Sequence, residues 1–305
     1  MSKKLKFIIV VLLVLILGLI AWGLISSIRA KISAREARIR QVENAKLAES
    51  KITLIEGWTN DEIFSYIEKQ NVTTKPELLK AESNINASDY AFLQDKPKKA
   101  DLQGFLFPDT YKVAKTGTAD SILFKLLNTF EQKFSLAASG SSLKAGYYQL
   151  SGYENLNLKN RVSSGLTVYD VVTLASIVER ETGKPGENAS SSRLQTERQT
   201  VAGIFLNRLE AGQALQSDAT VNFITKAGLA SPTLDQTKID SLYNTYKYTG
   251  LPPGPIGNPS YSSLYAVLHP IKSDYLYFLH SQPEGVIYYA KTLDEHNKNK
   301  AKYLK

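Results

Sequence analysis

The run TVYDVVTLASIVERET, Thr167 to Thr182, constrains the fold most. Thr167 is placed to cap a helix, with Asp170 three residues on in capping-box spacing. Val168, Val171, Val172, Ala175 and Val178 then follow at helical intervals, and Leu174 and Ile177 widen the apolar surface beyond one stripe. A helix apolar on most sides is buried, so the rest of the chain must form layers around it. Its last turn carries two carboxylates, Glu179 and Glu181. A carboxylate that loses hydration in such surroundings has its pKa raised from about 4.3 toward neutrality, which turns a glutamate into a general acid. The plainer alternative is that both acids are solvated at the helix end, near Arg180 or Lys184. At about 100° per residue, Glu179 falls nearer the middle of the apolar face and Glu181 at its edge, so periodicity favours Glu179 as the buried one.

A second constraint lies at the N-terminus. FIIVVLLVLILGLIAWGLISSI, residues 7–28, holds no charge over ~22 residues, enough to cross a hydrocarbon core of about 30 Å. A cleaved leader normally has a shorter apolar region, so an uncleaved membrane helix is expected. Lys3, Lys4 and Lys6 before it favour a cytoplasmic N-terminus, while Arg29, Lys31 and Arg35 after it leave charge undecided on topology. The chain has no cysteine, which excludes thiolate chemistry and disulfides, and three scattered histidines give no metal-ligand spacing, so no metal or other cofactor is expected. The net charge of +8 gathers beside the span and in the Lys-rich stretch 291–305, without any nucleic-acid motif, so no nucleic-acid partner is expected.

Residues 29–50, rich in Arg, Glu and Ala, read as a helical stalk. ITLIEG reads as a strand and turn, Asn60 to Lys69 as a short amphipathic helix, and the chain to about Lys99 as helix-rich. GFLFPDTYKV, residues 104–113, is strand-like but broken by Pro108, and a helix is expected from Ala119 to Phe134. Residues 135–165 look like an insertion or surface hairpin. A second long helix is expected from Leu194 to Ala211, stopped by Gly212. YNTYKYTGLPPGPIGNPS reads as a loop too rigid and too polar for core structure, and YLYFL and VIYYA as two strands joined by a turn.

Taken in order, LASIVERET, FLNRL (Phe205 to Leu209), LQSDATV (Leu215 to Val221), YNTY with GLPPGPIGNPS (Tyr243 to Ser260), YLYFL and KTLDEHN (Lys291 to Asn297) resemble the endolytic murein transglycosylases of the MltG (YceG-like) family, as does GFLFPDTY upstream. The resemblance covers roughly Lys51 to the C-terminus. It implies an α+β protein with a cytoplasmic tail (1–6), one transmembrane helix (7–28), a helical stalk (29–50), a small α/β subdomain (51–100) and an extracytoplasmic catalytic domain (101–305), held in the cytoplasmic membrane. A LysM-like module, common between anchor and ITLIEG in the family, has no counterpart there; LKAGYYQL at 143–150 is similar to a piece of it, out of position. Gln103 and Ile287 stand where the family often has Glu and His.

The implied activity is cleavage of the β-1,4 bond between N-acetylmuramic acid and N-acetylglucosamine within peptidoglycan strands, leaving a 1,6-anhydro end. The family's catalytic glutamate falls on Glu181, against the preference of the helical wheel for Glu179. Asn207, Gln216, Ser217, Asp218, Thr220, Tyr243, Asn244 and Tyr246, together with Glu179, are expected along the sugar cleft, because amides, hydroxyls and rings suit sugar surfaces. Pro252 and Pro253 are expected to shape a wall. Two other classes fit the same residues: a muramidase-type hydrolase in which Asp218 or Glu179 activates water, and a non-catalytic wall-binding or division scaffold. The partners implied by the resemblance are the glycan strand, the membrane, and peptidoglycan synthases and division proteins.

Overall fold

The structure is a computed structural model. It describes residues 22, 26, 29, 33 and 49–304, apart from 116, 145, 154, 159, 160, 184–190, 229, 230 and 282–284, with backbone alone at 161, 162 and 191. The chain forms two units, Met1–Ser50 with Ala114–Thr116, and Lys51–Val113 with Gly117–Lys305. Trp22, Ser26, Arg29 and Ser33 are helical; otherwise the expected span 7–28, and the expected stalk as far as residue 48, lie outside the described residues. Among the described residues no helix is long and apolar enough to cross a membrane.

The second unit is a mixed α+β fold. Strand β1 (Glu49–Thr53), whose first two residues fall in the first unit, pairs with β2 (Thr110–Ala114), whose last residue does, and between them in sequence lie helices α1 (Asn60–Lys69) and α2 (Lys75–Asn84). Each helix begins with a reciprocal capping box, Thr59 with Glu62 and Thr74 with Glu77, which satisfies backbone donors that the first turn leaves open. Only Thr110 to Val113 of the aromatic GFLFPDTYKV segment is strand. Phe105, Leu106 and Phe107 before it are buried in an irregular turn ahead of Pro108. Helix α3 (Ala119–Ala137) runs past the expected Phe134 end, since Phe134 and Ala137 continue its buried face.

Residues 135–165 have the expected hairpin character, with the first strand exposed, but they are anchored in the core. They form two antiparallel hairpins, β3 (Ser142–Lys144) with β4 (Tyr147–Gln149) and β5 (Leu156–Leu158) with β6 (Arg161–Ser163). Tyr148, Leu150, Tyr153, Leu156 and Leu158 are buried, and the Tyr153 hydroxyl donates to the Gly203 carbonyl at 3.2 Å. The composition of the segment hid these anchors among Ser, Gly and Asn.

The centre of the fold is three mutually packed helices: α4 (Val168–Thr182), α5 (Ser191–Glu210) and α7 (Tyr261–Leu268). Thr167 caps α4 in a capping box with Asp170, and Val171, Val172, Leu174, Ala175, Ile177 and Val178 have no exposed surface. Burying the larger of these contributes about 1.5–3 kcal/mol apiece. Helix α6 (Asp218–Thr225), the antiparallel pair β7 (Tyr277–His280) and β8 (Ile287–Ala290), and helix α8 (Leu293–Tyr303) complete the unit.

The Pro/Gly segment before α7 corrects the expectation that it is too polar for a core. Leu251, Ile256, Asn258 and Ser260 are buried. Its polar groups are paired instead of solvated. The Asn258 amide donates to the Trp58 carbonyl and to Asn60 Oδ1, both at 2.9 Å, and its oxygen accepts from the Leu106 N–H at 2.8 Å. Ile256 N–H donates to Ser176 Oγ on α4. At Gly257 a Cβ would stand 2.5 Å from the Gly57 carbonyl oxygen, so the two backbones approach closely only because no side chain intervenes. A buried irregular segment is tolerable when every backbone group finds a partner.

Candidate active site

Glu179 and Glu181 are two residues apart, so they leave α4 on nearly opposite sides. Each reaches the N-terminal end of another helix, where open N–H groups and the helix dipole favour a negative charge. Their surroundings then diverge.

Glu179 is 6 % exposed. One oxygen accepts from Ser260 N–H at 2.9 Å, from the Ser260 hydroxyl, and from the Ser263 hydroxyl at 2.8 Å; the other meets Arg198 Nη2 at 3.3 Å. The carboxylate thus joins α4 to α5 and to the start of α7. It does not line the large cavity, and each of its oxygens has a protein partner.

Glu181 is half-buried and lines a cavity of about 950 Å³, near the upper end for small-molecule sites. Its Oε1 accepts from the Ser217 hydroxyl and, at 3.4 Å, from Ala219 N–H in the first turn of α6. Oε2 has no hydrogen-bond partner among the described residues, which leaves it as the oxygen able to carry a proton. Loss of hydration raises the Glu181 pKa and the charge of Asp218 adds to the rise, while the Ser217 and Ala219 bonds oppose it; burial wins.

The support beneath Glu181 is a hydroxyl network. Ser217 N–H donates to Thr245 Oγ1 at 3.0 Å, Thr220 Oγ1 lies 2.8 Å from Thr245 Oγ1, and the Thr220 hydroxyl also bonds the Ser217 carbonyl at 2.8 Å. Gln216, just before, has a φ of 53°, unusual without glycine. It is held there by its N–H on the Thr245 carbonyl at 2.9 Å and by Arg208 Nη2 on its Oε1 at 2.6 Å. Beside Glu181, Asp218 accepts from the Tyr246 hydroxyl, whose pKa burial pushes well up.

Of the residues expected in a cleft, Glu181, Gln216, Asp218 and Tyr246 line the cavity. Ser217 and Thr220 stand behind them, Ser217 bonded to Glu181 and Thr220 to the Ser217 carbonyl. Asn207 and Asn244 are elsewhere: the first donates to the Ser273 and Tyr275 carbonyls at 2.7 and 2.8 Å, the second to the Thr237 and Ile239 carbonyls at 2.9 and 2.8 Å. Tyr243 packs on Phe223, with ring centroids 5.0 Å apart. Sequence reasoning missed Arg180, Arg208, Tyr277, His280, His296 and Lys300, all on the cavity wall. Arg208 lies in FLNRL, Tyr277 in YLYFL and His296 in KTLDEHN, so the motifs pointed to the right segments without separating wall from support. Burial lowers the pKa of both His280 and His296, favouring neutral rings. Among the described residues no group of three His, Asp or Glu side chains could hold a metal ion.

The family model described as the YceG-like family matches residues 27–302. A Bacillus subtilis protein named endolytic murein transglycosylase is 35 % identical over 210 residues, covering 69 % of this chain and 50 % of that protein. A Streptococcus pneumoniae protein of the same name is 30 % identical over 274 residues, covering 83 % of this chain and 44 % of that one. The chain therefore spans about half the length of the curated relatives it matches. A crystal structure of a yceG-like protein from Listeria monocytogenes, 31 % identical, superposes with a TM-score of 0.62 over 81 % of this chain and 75 % of that chain.

Proposed function

This chain belongs to the YceG-like family, and from that premise we propose that it is an endolytic lytic transglycosylase, cleaving the β-1,4 bond between N-acetylmuramic acid and N-acetylglucosamine inside peptidoglycan strands. The observation that carries the proposal is Glu181: a carboxyl in a large cavity, its pKa raised by burial, one oxygen fixed and the other uncommitted.

In this reading Glu181, protonated, gives its proton to the glycosidic oxygen as the bond to muramic C1 breaks. The carboxylate then takes the proton of the C6 hydroxyl while that oxygen attacks C1, closing the 1,6-anhydro ring and restoring the acid. No water is consumed. Gln216, Asp218 and Tyr246 contact the sugar, and Ser217, Thr220 and Thr245 fix the acid's geometry. Residues 7–28 anchor the chain in the cytoplasmic membrane and residues 29–50 act as a stalk. Residues 51–100 form a smaller part leaning on the catalytic residues 101–305, which work outside the membrane alongside wall synthases and division proteins.

Asp218 supports one rival, since a second carboxylate beside the acid could activate water as in a muramidase. Mass spectrometry of strands digested by the full chain separates the two, because anhydro ends are lighter by one water. Anhydro-ended internal fragments, lost in Glu181→Gln, are the expected result. Hydrated ends would assign a hydrolase, and intact strands with retained binding would assign a scaffold.

A further inference from the structure

Arg208 carries a positive charge into the interior without a negative partner. It is 7 % exposed, and its hydrogen bonds go to the Ala214 carbonyl at 2.8 Å, the Leu276 carbonyl at 2.9 Å and Gln216 Oε1 at 2.6 Å. All three acceptors are neutral, and they occupy three of its five N–H donors. Among the described residues the other strongly buried arginine, Arg198, is paired with Glu179. No carboxylate pairs with Arg208 among the described residues. A buried, unneutralised guanidinium is costly, and its fork is shaped for a carboxylate.

Arg208 lines the same cavity as Glu181, and a second cation, Lys300, lines it too. Its guanidinium carbon lies 5.4 Å from the Tyr277 ring centroid, and Tyr277 stacks on His296 at 5.3 Å. Lys300, one helical turn beyond His296 on α8, also lines the cavity, is exposed, and has no ion-pair partner among the described residues. Both Arg208 and Lys300 are close enough to act electrostatically on the His296 ring.

We propose that Arg208, with Lys300 at the rim, forms a carboxylate-binding subsite that makes the enzyme favour glycan strands carrying free carboxylates. The inference rests on the glycan-strand reading above. A chain of N-acetylated sugars is itself neutral. Its carboxylates come from the lactyl group of the muramic sugar when that is free, or from the peptide attached there. Either source presents the same group to a guanidinium.

The test uses the full chain and four substrates: stem-bearing strands, strands stripped of their peptides, and each of these after carbodiimide amidation of its carboxylates. Amidation is expected to lower kcat/KM by about tenfold or more, the ordinary weight of one charge-assisted hydrogen bond. A loss on stem-bearing strands alone assigns the carboxylate to the peptide, and a loss on stripped strands alone assigns it to the lactyl group. Lys300→Met, at an exposed position, is expected to narrow the ratio between unmodified and amidated strands. Equal cleavage of unmodified and amidated strands overturns the subsite and leaves the transglycosylase reading standing. Failure to cleave any of the four removes the reading itself, and the subsite with it.

Discussion

The two glutamates at the end of α4 are expected to show opposite stability signatures, and replacing each by glutamine exposes the difference. In Glu179→Gln the shape is kept but the charge is lost, so Arg198, 7 % exposed, is left buried without its counter-ion, and one end of the amide presents donors to donors. Removing one member of a buried ion pair costs about 3–5 kcal/mol, a large share of the roughly 5–15 kcal/mol that holds a domain folded. With a urea slope of about 2–3 kcal/mol per M, the unfolding midpoint falls by about 1–2.5 M. Glu181 behaves in the reverse sense. Its pKa is raised in the folded state, so it binds its proton more tightly folded than unfolded. That contribution to stability is present at low pH and is lost as pH rises from the ordinary carboxylate range through the raised folded value. Glu181→Gln lacks this penalty. Its midpoint should lie above that of the wild-type chain near pH 7.5, and the gap should close toward about pH 4. The assay is urea unfolding of the full chain in mild detergent, followed by tryptophan fluorescence. Trp58, whose carbonyl is bonded to Asn258, reports on this region. An unchanged midpoint for Glu179→Gln, or an equal fall for Glu181→Gln, would refute the separation of a structural from a chemical carboxylate.

Asp218→Asn removes a charge that raises the Glu181 pKa, so the high-pH limb of the kcat/KM profile, where the acid is lost, should move to lower pH; a limb that stays in place would detach Asp218 from the acid. Gly257→Ala places a methyl 2.5 Å from the Gly57 carbonyl oxygen and should cost about 1–3 kcal/mol in a urea titration, with no loss at all contradicting the close backbone approach. Asn207→Ala strips donors from the Ser273 and Tyr275 carbonyls, so stability should fall by about 1–3 kcal/mol while KM holds. A raised KM at unchanged stability would return Asn207 to the sugar cleft.

What could be read from the sequence was whatever depends on neighbours along the chain. The capping box at Thr167, the span Asn60 to Lys69 and the burial of Glu179 all follow from residues within a few turns of one another. What could not be read was the identity of partners. Glu179 is buried as its helical position implies, yet periodicity cannot tell a carboxylate that performs chemistry from one locked by Ser260 and Ser263, which stand 81 and 84 residues away. The Pro/Gly segment is opaque for the same reason. Its polarity suggests a cost of burial, while the atoms that satisfy Asn258 lie 152 to 200 residues upstream. Asn207 and Asn244 look like sugar ligands by residue type and turn out to hold main-chain carbonyls. Arg208 is the converse case: nothing in its sequence surroundings singles it out within FLNRL, and only the fold shows it buried beside neutral acceptors and lining a cavity. A polar side chain has its role set by what satisfies it, so an interior group whose partners are all neutral is where a missing anion should be sought.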